Sequence, residues 1–87
     1  MTVAYNITLK YFASIREAIG QGSERLTTQA TTLKTLRDEL IARGGAYAEV
    51  LAYGRAVRMA LNQDLCEETA ALSEGCEVAF FPPVTGG

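Results

Sequence analysis

The sequence contains no histidine and no tryptophan, and its 87 residues include only two cysteines, Cys66 and Cys76. Without histidine, neither a Ser–His nor a Cys–His nucleophile can form. The two cysteines cannot make a standard zinc site and are too few for a disulfide framework, so we predict no metal site. We interpret them as free thiols that pack as small apolar side chains; a redox or persulfide-carrying role is the alternative. Because a phosphate-binding loop is also missing, the sequence disfavours a stand-alone enzyme.

Long apolar runs and clusters of basic residues are lacking as well. The longest apolar run is too short to span a membrane, and the N-terminus does not have the pattern of a signal peptide. The net charge of −2 and the dispersed Lys and Arg residues argue against nucleic acid and against an anionic membrane as the main partner. We therefore expect a cytoplasmic protein, with a single modest core because the chain is short.

Apolar residues alternate with other residues in three segments, and this alternation predicts half-buried strands. Phe12 and Phe81 fall on the opposite side to the core residues and are predicted to be exposed; a misjudged alternation that places both in the core is the alternative. A further short strand over residues 24–27 is predicted to pair with the first, and a brief one begins at Leu65–Cys66 after a turn over residues 62–64. The expected core positions are Ile7, Leu9, Tyr11, Val57, Met59, Leu61, Cys76, Val78 and Phe80.

One main helix is predicted from leucines at helical spacing, with Thr31 or Thr32 as its N-cap. Gly44–Gly45 is expected to end this helix, with Arg43 in its last turn. Short helical turns are predicted over residues 14–19 and 69–72, and residues 46–53 are predicted to form a loop with a helical turn. The helix is expected to bury Leu33, Leu36, Leu40 and Ile41 and to turn Lys34, Arg37, Asp38 and Glu39 towards solvent.

The predicted elements favour an α+β fold of two layers, in which a mixed sheet of four to five strands carries one main helix on one face. In a β-grasp arrangement the first and last strands lie side by side at the centre of the sheet. Phe12 and Phe81 would then be neighbours on the face without the helix.

The last residues form a segment of unusual composition, with no charged side chain from Phe80 to Gly87. Two prolines cannot continue a sheet ladder, and each holds the preceding residue extended. We predict a domain over residues 1–81 and an extended tail over residues 82–87, which would reach roughly 20 Å at ~3.3 Å per residue. A flexible end is the alternative. The predicted tail would insert into a narrow site of another protein through Pro82, Pro83, Val84, Thr85 and Gly86, with the terminal carboxylate of Gly87 as the functional group.

Three segments resemble the small subunits of molybdopterin synthase, a family of ubiquitin-like sulfur carriers. They are residues 9–17 (LKYFASIRE), residues 60–63 (ALNQ) and residues 75–87 (GCEVAFFPPVTGG). A terminal Gly-Gly alone marks every ubiquitin-like substrate of an activating enzyme, whereas the whole string from Glu77 through Pro-Pro-Val-Thr-Gly-Gly is specific to this subfamily. Residues 21–55 match only in pattern.

The resemblance implies a ubiquitin-like β-grasp fold and a chemistry for the tail. A ubiquitin-activating-like adenylyltransferase would consume ATP to adenylate Gly87, and a sulfurtransferase or cysteine desulfurase would supply the sulfur of a C-terminal thiocarboxylate. The sulfur would pass to a cyclic pterin precursor in the large subunit of a heterotetrameric synthase, which forms the molybdopterin dithiolene. The small subunit would be no enzyme on its own and would bind no cofactor permanently.

The resemblance also implies a partner-binding patch at Phe12, Leu65 and Phe81, used by both the activating enzyme and the large subunit. Arg16 either pairs with an acidic group of a partner or is a solvated surface charge. Two alternative functions are a sulfur carrier for thiamine or another thiolated product, and a protein modifier that Gly87 joins to lysines.

Overall fold

Five strands form one mixed sheet in the computed structural model, which describes residues 4–83. The sheet order is β2-β1-β5-β3-β4; β1 and β5 are parallel, and the other neighbours are antiparallel. The first and last strands are therefore adjacent at the centre, as predicted. In chain order the elements are β1 (Tyr5–Tyr11), α1 (Ala13–Ile19), β2 (Ser23–Thr28), α2 (Leu33–Ile41), α3 (Gly45–Leu51), β3 (Arg58–Leu61), β4 (Asp64–Leu65) and β5 (Glu77–Phe81).

All three helices pack against the same face of this sheet. Their buried residues join one core with the inward side chains of the strands, so the period-two and helical patterns of the sequence meet in a single apolar layer. We call the opposite side of the sheet the open face. None of the helices described in residues 4–83 is long and apolar enough to cross a membrane. The core comprises Ile7, Leu9, Tyr11, Ile15, Leu33, Leu36, Leu40, Leu51, Met59, Leu72, Cys76, Val78 and Phe80.

The main helix begins as predicted but ends earlier. The Thr32 hydroxyl accepts a hydrogen bond from the N–H of Thr35, and the Thr35 hydroxyl accepts one from the N–H of Thr32, which is a capping box. The helix ends at Ile41, before the two glycines. Gly44, with φ of 76°, instead precedes α3 as its N-cap, so residues 45–51 form a full helix where we predicted a loop with one turn.

Arg37 corrects the expected solvent-facing side of α2, because only 5% of this residue is exposed. Its Nε donates to the carbonyl oxygen of Leu51 at 2.6 Å, and its Nη2 donates to that of Ala52 at 2.9 Å. These carbonyls end α3 and carry the negative end of its dipole, so a buried guanidinium is well placed there. Because α3 was not predicted from the sequence, the carbonyl groups that bind Arg37 could not be predicted either.

Arg43 also differs from expectation. It lies beyond the last turn of α2, and its Nη1 donates to Glu24 Oε1 on β2 at 2.8 Å. A long-range ion pair therefore replaces the predicted interaction with the helix dipole.

The helical turn predicted over residues 69–72 is not formed. Instead the segment runs beside the start of α2, where Leu33 N–H donates to the Ala70 carbonyl at 3.1 Å and Lys34 N–H donates to the Glu68 carbonyl at 2.8 Å. The first N–H groups of a helix have no partner within the helix. Residues 68–70 satisfy two of them, and the chain turns earlier than predicted, where the Ala70 N–H donates to the Glu67 carbonyl at 3.0 Å.

Candidate functional site

Phe12 continues the alternation of β1 past the end of the strand. Its backbone is extended, and its N–H donates to the carbonyl of Phe80 at 3.2 Å, which prolongs the β1–β5 register by one residue. Since Tyr11 faces the core, Phe12 lies on the open face beside Phe81. The side chain is 47% exposed, which confirms the exposure predicted from the sequence.

Leu65 and Phe81 lie on the same face as Phe12. Phe81 ends β5 opposite Arg58 of β3 and is half-buried, so it is less exposed than predicted. Leu65 lies on β4 opposite Ala60 of β3. Leu65 is 68% exposed, more than either phenylalanine. The sheet thus brings together three side chains that are far apart in the sequence.

Two alanines form the floor between these side chains. Ala79 of β5 and Ala60 of β3 are directly opposite each other and are 8% and 7% exposed, although both belong to the open face. In the register of the sheet they lie between Leu65 on β4 and the ends of β1 and β5, where Phe12 and Phe81 are. We call these five residues the apolar patch. Neither alanine was predicted as a site residue, because their position opposite each other depends on the pairing of β3 with β5.

The predicted tail begins at the edge of this patch. β5 ends at Phe81, and the half-buried Pro82 and Pro83 lie outside the helices and strands. Pro82 lines a cleft of about 430 Å³ together with Ile15 of α1 and with Val57. The root of the tail is therefore packed against the domain. The remaining predicted site residues, Val84, Thr85, Gly86 and Gly87, lie outside the described residues.

Arg16 is exposed on α1, one turn after Phe12. Its side chain lies against Gly22, where an added Cβ would be 3.1 Å from Arg16 Nε. Gly22 precedes β2, at the edge of the sheet opposite β4. Arg16 is therefore directed away from Leu65, and the structure does not bring these two residues together.

The shifted pKa values within residues 4–83 belong to groups away from the apolar patch. Burial, and secondly the charge of Glu24, raises the pKa of Tyr11. Burial of Glu24 acts to raise its own pKa, but hydrogen bonds from Arg43, Tyr47 and Tyr11 outweigh it and lower the pKa. These groups connect β1, β2 and α3 on the helical side. The apolar patch itself presents shape and hydrophobic contact, which suits docking of another protein.

The comparisons with known proteins agree with this architecture. A model of the ThiS family matches residues 9–87. The molybdopterin synthase sulfur carrier subunit of Haemophilus influenzae is 37% identical over 81 residues, which cover 93% of this chain and 99% of that protein.

Two solved structures extend the comparison. One is a complex of subunits 1 and 2 of molybdopterin-converting factor from Helicobacter pylori. The matching chain is 28% identical, the match covers 94% of this chain and 99% of that chain, and the TM-score is 0.64. The other is SAMP1 from Haloferax volcanii, with 25% identity, the same two coverages and a TM-score of 0.75. The predicted ubiquitin-like β-grasp is confirmed. The chain belongs to the ThiS family and is related over most of its length to molybdopterin synthase sulfur carrier subunits.

Proposed function

We propose that this protein is the sulfur-carrying subunit of a molybdopterin synthase and that Gly87 carries the sulfur. The observation that carries the proposal is the family match, which extends to residue 87 and includes a relative of that name aligned over 99% of its length. The apolar patch at the root of the tail supports it, because a protein that binds there would receive the tail in its own site.

The proposed chemistry begins with an activating step, because a carboxylate is a poor acyl donor. The Gly87 carboxylate attacks the α-phosphorus of ATP in a ubiquitin-activating-like adenylyltransferase and releases pyrophosphate. The terminal sulfur of a persulfide, supplied by a sulfurtransferase or cysteine desulfurase, then displaces AMP and forms an acyl disulfide. A thiol reduces this acyl disulfide to the thiocarboxylate and is itself oxidised to a disulfide. Glycine suits this position because, without Cβ, it does not crowd the tetrahedral centre formed at each acyl transfer.

In the second proposed stage the tail enters the large subunit. The Helicobacter pylori neighbour is a complex of two subunits, which supports a large-subunit partner for this chain. The thiocarboxylate is a soft nucleophile, as thiolates are, and its sulfur attacks the cyclic pterin precursor to form a thioester. Water then hydrolyses this thioester, which leaves the sulfur on the pterin and restores the Gly87 carboxylate. Two charged carriers supply the two sulfurs of one dithiolene, which fits a heterotetramer. On this proposal the chain works in the cytoplasm, binds no permanent cofactor and acts as a transferase only within the complex.

Intact mass spectrometry tests the proposal. The purified chain is incubated with the activating enzyme of the same organism, ATP and a sulfur source. We expect replacement of one oxygen by one sulfur at Gly87, and no such change in a chain that lacks Gly87 but keeps its circular dichroism spectrum. An unmodified wild-type chain with an enzyme shown to be active, or sulfur transfer by the shortened chain, would contradict the proposal.

A protein modifier is a second candidate, supported by the likeness to SAMP1, whose full name is small archaeal modifier protein 1. It would form isopeptide bonds between Gly87 and lysines of other proteins. Immunoblots under reducing conditions distinguish the candidates, because a modifier produces bands of higher mass that depend on Gly87. A sulfur carrier for thiamine would instead bind a thiazole synthase, and a binding assay with that enzyme tests this third candidate.

A further inference from the structure

Two cations lie beside the apolar patch on the open face. In the register of the sheet, Lys10 of β1 lies next to Ala79, and Arg58 of β3 lies next to Phe81. Lys10 is half-buried and Arg58 is exposed. Neighbouring strands are about 4.8 Å apart, so both cations are within the area that a protein docked on the patch would cover.

No Asp or Glu occupies the two cross-strand rows of the described sheet that contain these cations. One row runs through Ser23, Lys10, Ala79, Ala60 and Leu65, and the next runs through Phe12, Phe81 and Arg58. Glu77 comes one row further along β5, where it lies beside Thr8. Glu67 and Glu68 line a cleft together with Arg58 and Leu65, but neither forms an ion pair with Arg58 within residues 4–83. The two ion pairs found within residues 4–83, Lys34–Asp38 and Arg43–Glu24, involve neither cation.

Docking on the apolar patch would remove water from both cations, and burial of a charge without a counter-charge is strongly unfavourable. A second copy docked through the same two rows would offer no carboxylate from these rows to either cation. We propose that the large subunit presents an apolar surface with a carboxylate facing Arg58 and another facing Lys10. This inference rests on the proposed function, because it assumes that the large subunit docks on the patch. The planar guanidinium of Arg58 suits a bidentate carboxylate contact.

Binding of charge variants to the large subunit of the same organism tests the inference. We expect Arg58→Glu and Lys10→Glu each to weaken the affinity at least about tenfold, because each places two carboxylates together in a desolvated contact. Arg25→Glu is the matched control, since it makes the same change of charge on the same face but on the edge strand β2, away from the patch. We expect that control to change the affinity less than about threefold. Arg58→Leu, which adds no repulsion, should also weaken binding, and thermal melting establishes that each variant is folded.

Phe81→Ala tests the docking surface separately from the inferred carboxylates of the large subunit. If Phe81→Ala weakens binding while Arg58→Glu and Lys10→Glu bind as tightly as Arg25→Glu, the inferred carboxylates are absent and the docking surface remains. If Phe81→Ala has no effect either, the large subunit does not use the patch, and this inference fails with that part of the proposed function. Sulfur transfer to Gly87 is measured independently by mass spectrometry.

Carbodiimide cross-linking locates a carboxylate directly, because it joins an amine to a nearby carboxylate as an amide. The chain has only two lysines, Lys10 and Lys34. Lys34 is in an ion pair with Asp38 on the helical side and serves as the internal control. We expect a cross-link from Lys10 to an Asp or Glu of the large subunit, lost in Lys10→Arg although that variant still binds. A complex with no Lys10 cross-link, or with Lys34 alone cross-linked, would overturn the proposal for Lys10.

Discussion

Charged side chains on the helical side of the sheet bind other groups of the domain, whereas Lys10 and Arg58 on the open face do not form ion pairs within residues 4–83. On the helical side, Glu24 accepts hydrogen bonds from four side chains, those of Arg43, Tyr47, Gln21 and Tyr11. The buried Arg37 of α2 donates to a carbonyl at the end of α3. On the open face, cations and apolar side chains lie together without comparable internal contacts among the described residues. The difference indicates that the polar groups around Glu24 and Arg37 stabilise the domain, whereas Lys10 and Arg58 on the open face are available to a partner. Asn6 and Thr27, at the other end of the open face, are hydrogen-bonded to each other.

Phe80 and Phe81 offer the sharpest test of this comparison, because they are consecutive residues on opposite faces. Phe80 is fully buried, so Phe80→Ala should reduce the free energy of unfolding by about 3–5 kcal/mol, a large share of a small domain's stability. Phe81→Ala should reduce it by about 1 kcal/mol or less while weakening partner binding. Urea denaturation measures both losses. Equal losses of stability would break the distinction between the two faces.

Arg37 and Arg58 make a matched pair of cations. Arg37→Met removes the donors to the Leu51 and Ala52 carbonyls at the end of α3, and we expect a loss of about 2 kcal/mol in the free energy of unfolding. Tyr53 would also lose the cation 4.4 Å from its ring centre. Arg58→Met, on the open face, should change the free energy by no more than about 0.5 kcal/mol. Thermal melts of the two variants compare them directly. A larger loss of stability for Arg58→Met than for Arg37→Met would contradict the view that Arg37 stabilises the domain and Arg58 does not.

The lowered pKa of Glu24 implies that the stability of the domain falls in acid. Its folded-state pKa lies below the ordinary value of 4.5, so its stabilising contribution is complete above that pH and is lost as the pH falls through the folded-state pKa. Glu24→Gln should lower the free energy of unfolding by about 1–2 kcal/mol at neutral pH and flatten its acid dependence. Urea titrations between neutral pH and pH 3 measure both effects.

Glu17→Gln, which changes an exposed acid on α1, is the control for this titration. We expect it to retain the acid dependence of the wild type. If Glu24→Gln retains that dependence too, the hydrogen bonds to Glu24 do not couple its ionisation to folding.

Much of the fold was predictable because its local patterns agree with its tertiary contacts. The alternation around Leu9 and Val78 identified the central strands, and Leu33, Leu36 and Leu40 identified the face of α2 that is buried. The alternation also correctly placed Phe12 in solvent. α3 escaped prediction because Ala46 to Leu51 has no clear polar face, and its end is held by Arg37, a residue eight positions before its first residue.

The sequence by itself determined the strand and helix periods and the exposure of Phe12, since each depends on residues close together in the chain. It also determined the family, because short motifs identify the family without knowledge of how they pack together. Only the tertiary structure decided that Arg58 lies beside Phe81, that Arg37 is buried and that residues 68–70 meet the start of α2. These features depend on strand order and on hydrogen bonds between distant segments. No local pattern specifies such a bond, because its donor and acceptor come together only when the whole sheet and its helices are assembled.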